Sequence, residues 1–455
     1  MNPSTGAAES ASDRAPSRRA ILAGVATGVS SLTAALSGCL SFPDGDPPPI
    51  DVTDEELHEV AAIDVPEVST RLPVSLDDEP VEAGRDRIES LLEPIPSDLT
   101  AEIPNEAVRD YIVDYRQRAR ERIVELEDVD HNYDRLSTLG RSRRDAAEAE
   151  GAYAAATAGR VREDVYEAVE SVDRRRREVD SKLVRIGDVP HEAVLVYNTV
   201  EGRLDSVDGG LDRVDDQSPL TSEVEAVGEA AGRLESSRAN LEMAEHLIER
   251  QEQVGDAALD GAFERATSEL LEEMDSHVAD LPPADSDPEE VFAVPVAGTP
   301  REIVVDGVGG SSVLRVIHRT RSRVDDYMEN DRVARALVAL YELEHERRTF
   351  DRLRDRIDDG GLDRPDDVEA VAETKRSAIE AIEAALEGDS HPYLIRERLS
   401  ASLAPIGLAD RDIDEGRYSS DSGAVYAMGH YAVAGERARA LPGAADWFAD
   451  ALESA

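Results

Sequence analysis

The chain has 455 residues, with 99 acidic against 50 basic side chains and a formal net charge of −49. That balance excludes nucleic-acid binding, which depends on clustered cations facing the phosphate backbone. A single cysteine excludes an internal disulfide, so stability must come from packing and from charge pairs on helices.

The first element is residues 17–39. Arg18 and Arg19 form a twin-arginine pair, an uncharged stretch runs from Ala20 to Leu36, and Leu36-Ser37-Gly38-Cys39 closes it with small residues before the sole cysteine. This resembles a twin-arginine lipoprotein signal with a lipobox, over roughly the first 40 residues. The stretch is too short and too rich in small residues to span a bilayer, which takes about 20 strongly apolar residues. The resemblance implies cleavage after residue 38 and lipid on Cys39. The body would then be held at the extracellular face of the cell membrane. Each buried methylene contributes about 0.8 kcal/mol of membrane affinity, so a diacyl or diether anchor is required.

Only Lys182 and Lys375 are lysines; every other basic residue is arginine. Loss of Glu9, Asp13, Arg14, Arg18 and Arg19 with the signal takes the charge from −49 to −50. Acidity, arginine usage and export route together resemble those of an extremely halophilic archaeon. At molar salt the Debye length is about 3 Å, which screens the self-repulsion. At about 0.1 M it grows to about 10 Å, and helical structure is expected to be lost.

Residues 39–50 read as a stiff tether with three successive prolines. Residues 51–103 are mixed, with short helices over Asp54–Ala62 and Ala83–Leu92 and an extended, edge-like run from Val65 to Leu76. Residues 104–280 form a long helical region. Val108, Ile112, Tyr115, Ala119 and Ile123 begin a seam with gaps of three and four. The seam changes phase near Gly140, where a bend or break is expected, and continues to Ile186. A helix over His191–Val207 should stop before Gly209-Gly210. A second seam, from Val224 to Val278, breaks near Gly255 or Gly261 and pairs with the first as an antiparallel hairpin. Residues 281–311 read as a linker with a possible β-hairpin over 291–307. Residues 312–455 form a C-terminal helical bundle with helices over Ser312–Ile357, Pro365–Leu386, Pro392–Leu403 and Ser420–Leu441, and a short one over Ala444–Leu452. The expected fold is mainly α: long antiparallel helices in an elongated bundle or coiled-coil hairpin, with at most a small β element near 65–76 and 291–307.

Candidate sites are few. Glu342 and His345 have the Glu-x-x-His spacing of carboxylate-bridged metal centres in helical bundles. Three other acidic-x-x-His pairs, Glu55/His58, Asp128/His131 and Asp188/His191, share that spacing. A solvated helix face is the simpler explanation of the spacing. His430, with Tyr426, Met428 and Tyr431 on an apolar stretch and Tyr418 and Trp447 nearby in sequence, suggests either a pocket or an aromatic core. Arginines cluster at Arg141/Arg143/Arg144, Arg174–Arg177 and Arg315/Arg319/Arg321/Arg323. Each cluster reads as an anion site or as a helix face neutralised by acids three or four residues away. Walker, dinucleotide-binding, zinc-protease and hydrolase motifs do not occur.

The function expected from these features is that of a membrane-anchored extracytoplasmic lipoprotein. It would act by binding or scaffolding among cell-surface proteins, without catalysis or cofactor. An all-helical solute-capturing lipoprotein of a transporter and an exported helical metalloprotein are the alternatives.

Overall fold

The computed structural model describes residues 49–69, 71–214, 222–305, 312–388 and 390–455; Arg18, Arg19, Cys39 and most of the tether lie outside the described residues. Fifteen α-helices and no strand occur among the described residues. They are α1 (Asp54–Ala61), α2 (Glu79–Leu92), α3 (Glu106–Glu125), α4 (Asn132–Ala158), α5 (Arg162–Lys182), α6 (Pro190–Asp212), α7 (Glu223–Val254) and α8 (Asp260–Ala279). There follow the short α9 (Pro288–Phe292) and α10 (Glu302–Val305), then α11 (Val313–Glu329), α12 (Val333–Asp358), α13 (Val368–Glu387), α14 (Pro392–Asp414) and α15 (Ser420–Ser454).

Local sequence sets many of the ends. Thr53 with Glu56, and Ser222 with Glu225, form reciprocal capping boxes at the starts of α1 and α7. Asn105, Asp367 and Ser312 cap α3, α13 and α11 with their side-chain oxygens. Gly159 ends α4 in the left-handed conformation, at φ 71°.

The first seam is three helices rather than two. Its breaks fall at Leu126–His131 and at Gly159–Val161, and Gly140 lies inside α4. The second seam breaks at Gly255, one of the two expected places, and Gly261 lies inside α8. The hairpin forms between α4 and α7. Gly151 faces Ala231, Gly228 faces the Glu148 carbonyl, and Gly140 faces Ala239, a register that runs antiparallel. A Cβ on Gly151 would stand 2.7 Å from that of Ala231, so these glycines serve close approach rather than flexibility. Gly209 and Gly210 likewise do not stop α6, because Gly210 is where α6 presses on Ser237 of α7.

No β element forms among the described residues of the two runs. Residues 65–69 and 71–76 run as irregular chain, and residues 291–305 hold the end of α9 and all of α10, whose Phe292, Ile303, Val304 and Val305 are buried. The β-branched runs that suggested strands are apolar plugs broken by Pro295 and Pro300, which leave no ladder to pair. The expected single helix over Ser312–Ile357 is α11 and α12, with Asp331 in the left-handed region between them at φ 58°. Conversely, α14 and α15 continue through Pro405 and Pro442. An interior proline costs about 3 kcal/mol, and the buried turns on either side offset it.

Two apolar cores result. A small one joins α2, α3 and α4 through Ile88, Ile112, Leu139 and the alanines of α4. A large one runs without interruption from Val194 of α6 through α7, α8 and α11–α15, with Tyr341, Phe263, Phe350 and Phe448 fully buried. α7 is the spine of the first half, packed by α4, α5 and α6; α15 is that of the second, packed by α12, α13 and α14. The chain enters beside the second. Ile50 is buried, and Lys375, with no exposed surface, donates to the carbonyls of Val60 (3.0 Å) and Ala61 (2.8 Å) and to Asp410. None of the helices among the described residues is long and apolar enough to cross a membrane.

Candidate functional site

A cleft of about 660 Å³ opens between α2, α4, α5 and α7. Four guanidinium groups line it, Arg87, Arg143, Arg175 and Arg238, beside the apolar Leu139 and Leu241. Behind them sits Glu235, 1 % exposed. Its carboxylate accepts from Arg87 (Nε 3.0 Å, Nη2 2.8 Å) and Arg143 (Nε 2.9 Å), and Arg238 stands 3.4 Å away. Arg143 also reaches Glu242 at 2.5 Å, and Arg175 binds Glu245 through Nε at 2.7 Å.

Burial alone would raise the Glu235 carboxyl, but Arg87 and Arg143 outweigh it and hold the group below the ordinary carboxylate range. Burial alone would weaken the hold of Arg143 on its proton. Glu242 and Glu235 reverse that and keep it above its ordinary value. These are charge-assisted, partly bidentate bonds. Each arginine has five N–H donors, and Arg87, Arg175 and Arg238 commit only some of them to these glutamates. The arrangement is suited to holding an anion beside an apolar wall.

The arginine clusters seen in the sequence are therefore partly in this cleft and partly paired across helices. Arg143, Arg175, Arg176 and Arg323 reach Glu235, Glu245, Asp208 and Glu342 on other helices. Only some pairs, such as Arg177–Asp173 and Arg321–Asp325, follow the expected spacing of four. Glu235, Arg87 and Arg238 were not singled out by sequence. Their partners lie up to 148 residues away, and no local pattern marks them.

Glu342 and His345 do not share a ligand position. His345 is fully buried, with Nε2 2.9 Å from the Arg437 carbonyl, whereas Glu342 accepts from Arg323 at 2.6 Å. Burial holds the His345 imidazole down to about 4, so it stays neutral. Among the described residues no group of three or more His, Cys, Asp or Glu is placed to hold a metal ion.

The aromatic candidates separate into two sets. Tyr418, Tyr426 and His430 lie in series with tilted rings, centroids 4.7 and 4.3 Å apart. Tyr418 and Tyr426 line a small cavity of about 110 Å³ with Asp412 and His58. His430 is buried and held down to about 4 by desolvation. Tyr431 turns elsewhere and donates to Asp410 at 2.6 Å, and Trp447 donates to Glu273 at 3.2 Å. Met428 packs at the edge of the large core.

Fold and cleft together define a helical protein with an arginine-lined cleft in an acidic body. Residues 79–257 match a family described as a domain of unknown function (DUF8262), and residues 260–450 match a second such family, DUF8264. No curated protein and no solved structure matches the chain.

Proposed function

We propose that the chain is a lipid-anchored binding protein of the extracytoplasmic membrane face, and that it takes an anionic ligand in the Arg87/Arg143/Arg175/Arg238 cleft. The observation that carries the reading is the gathering of four guanidinium groups on one cleft in a chain of net charge −49. A volume of about 660 Å³ falls within the span of small-molecule sites, about 300–1,000 Å³. The apolar wall of Leu139 and Leu241 favours a small molecule over a flat protein epitope, which brings solute capture ahead of scaffolding. In molar salt the field of the distant acids is screened within about 3 Å, so contact charges decide what binds. The anchor would follow from residues 17–39. The chain then meets the body beside α13, α14 and α15, while other helices build the cleft.

Citrate serves as a carboxylate probe. Titration of the folded protein should show saturable binding, weakened at least tenfold by Arg238→Ala, which leaves Glu235 with its two closer arginines. Absence of saturable binding by citrate and by phosphate would reject the cleft as the ligand site. The anchor is tested separately: Cys39→Ser should release the protein from membranes or leave it uncleaved, and lysine at Arg18 and Arg19 should block export. Normal processing with full membrane retention in Cys39→Ser would reject lipidation.

A further inference from the structure

His191 and His391, 200 residues apart, meet where the two family-matched halves join. His191 is the second residue of α6, and His391 is the residue before α14. Their rings stand edge to face, with His391 Nδ1 3.2 Å from His191 Nε2. A carboxylate stands behind each ring. Glu453 Oε1 is 3.4 Å from His191 Nδ1, and Asp446 Oδ1 is 3.7 Å from His391 Nε2. The His191 side chain is 13 % exposed, and its Nδ1 is buried. His391 holds the left-handed conformation at φ 49°, ψ 53°, which a non-glycine residue adopts at a cost.

We propose that His191 and His391 form a binding site for a transition metal of the zinc class, joining the two halves of the chain. Two imidazole nitrogens on one tetrahedral zinc, each bonded at about 2.0–2.1 Å, lie about 3.3 Å apart. The observed 3.2 Å already sets that chord. In the metal-free pair, one inner nitrogen carries the proton of the ring-to-ring hydrogen bond. Metal entry moves that proton to the outer nitrogen of the same ring, so no net proton is released. Both outer N–H groups then face Glu453 and Asp446, the carboxylate backing typical of metal-bound histidine. The protein supplies two ligands, and solvent completes the coordination; the His191 and His391 side chains are 13 % and 22 % exposed. Imidazole selects zinc, copper or nickel over calcium and magnesium, which prefer oxygen. That preference sets this pair apart from the acidic surface.

The test titrates the full chain, in the salt that keeps it folded, with Zn²⁺. One equivalent should bind and raise the melting temperature, unaffected by excess Ca²⁺ or Mg²⁺. His191→Gln and His391→Asn should each weaken binding at least tenfold; asparagine suits the left-handed backbone at 391. No stoichiometric uptake, uptake unchanged in both variants, or equal competition by Ca²⁺ would overturn the proposal. If either variant fails to fold, diethyl pyrocarbonate labelling of the wild type decides. Zn²⁺ should protect His191 and His391, and unprotected labelling of both would overturn the site.

Discussion

The small core under α2–α4 and the large core under α6–α15 bury different kinds of groups. The small one is alanine-rich along α4, and its buried polar side chains are Arg116, Thr138, Ser142, Arg143, Asp145 and Glu148. The large one stacks Tyr341 on Phe448 at 5.1 Å and encloses His345, His430 and Lys375. The boundary between the matched families, at residues 257–260, does not follow the boundary between the cores. α6 and α7 lie in the first match and pack in the large core. Glu201 of α6 accepts from the backbone N–H groups of Ala334 and Arg335 (3.3 and 3.0 Å), capping α12 from across that boundary. Arg185 ties the same carboxylate to Asp260 of α8. The two matched segments are therefore parts of one packed structure.

Acid should separate the cores most strongly. His345 and His430 are neutral in the folded state with pKa about 4, against about 6.5 when unfolded. As pH falls below 6.5 the unfolded chain takes up both protons first, so stability falls between pH 6.5 and 4. The slope is about 1.4 kcal/mol per pH unit for each histidine, and the total is roughly 3 kcal/mol each at pH 4. Burial opposes charge on Glu346, but Arg437, His345 and Arg398 outweigh it and hold that carboxyl below its ordinary range. Hydrogen exchange followed against pH should lose protection in α12 and α15 before α2–α4. His345→Gln with His430→Gln should flatten the pH profile; equal loss in both cores would remove the distinction.

The next effect lies where the small core meets α7. Glu235→Leu leaves Arg143 and Arg87 facing each other without their shared carboxylate. Breaking a buried pair in this way costs about 3–5 kcal/mol. Denaturant melts in molar salt should show that loss, because buried pairs are weakly screened. A loss under about 1 kcal/mol would mean that Glu242 and the apolar contacts hold α2 and α4 by themselves.

Sequence made the helices legible and their ends less so. The three-and-four spacing located the helical stretches over 106–182 and 223–279, since burying a stripe is what stabilises a helix. It also found the α4–α7 pairing. The glycines misled at Gly140 and Gly209-Gly210, because close helix packing and chain breaking ask for the same residue. Pro405 and Pro442 misled in the opposite sense, since tertiary burial overrides their cost. The β-branched runs around Pro295 and Pro300 read as strands because short apolar segments carry no period of their own. Of the cleft, only Arg143 and Arg175 were within reach of sequence, as members of clusters. Glu235 and the His191–His391 pair depend on contacts between distant segments. Asp188/His191 was among the spacings noted, but its chemistry comes from residue 391.

Helix spacing between α4 and α7 gives a smaller effect. A Cβ on Gly228 would stand 2.8 Å from the Glu148 carbonyl oxygen and 3.2 Å from Ala152 Cβ. Overpacking of this kind costs about 1–3 kcal/mol, and the better helix propensity of alanine returns up to about 1 kcal/mol. Gly228→Ala should therefore destabilise by about 1–2 kcal/mol in thermal melts. A stabilising result would mean that the two helices can shift apart freely.

The smallest effect tests whether charge matters by its burial or by its number. Lys182 and Lys375 are the only lysines, and both are paired. Lys182 meets Glu178 one helical turn away, at 2.6 Å, with 71 % of its side chain exposed. Such an exposed pair contributes little, and molar salt screens most of that. Lys182→Ala should thus leave the melting temperature within error at high salt. Lys375→Met, by contrast, strips Asp410 and the end of α1 of their shared donor and should lower it by many degrees. If the two lysine variants fell by similar amounts, surface pairing would be holding this acidic chain together as strongly as its interior does, and the contrast between the cores would lose its physical basis.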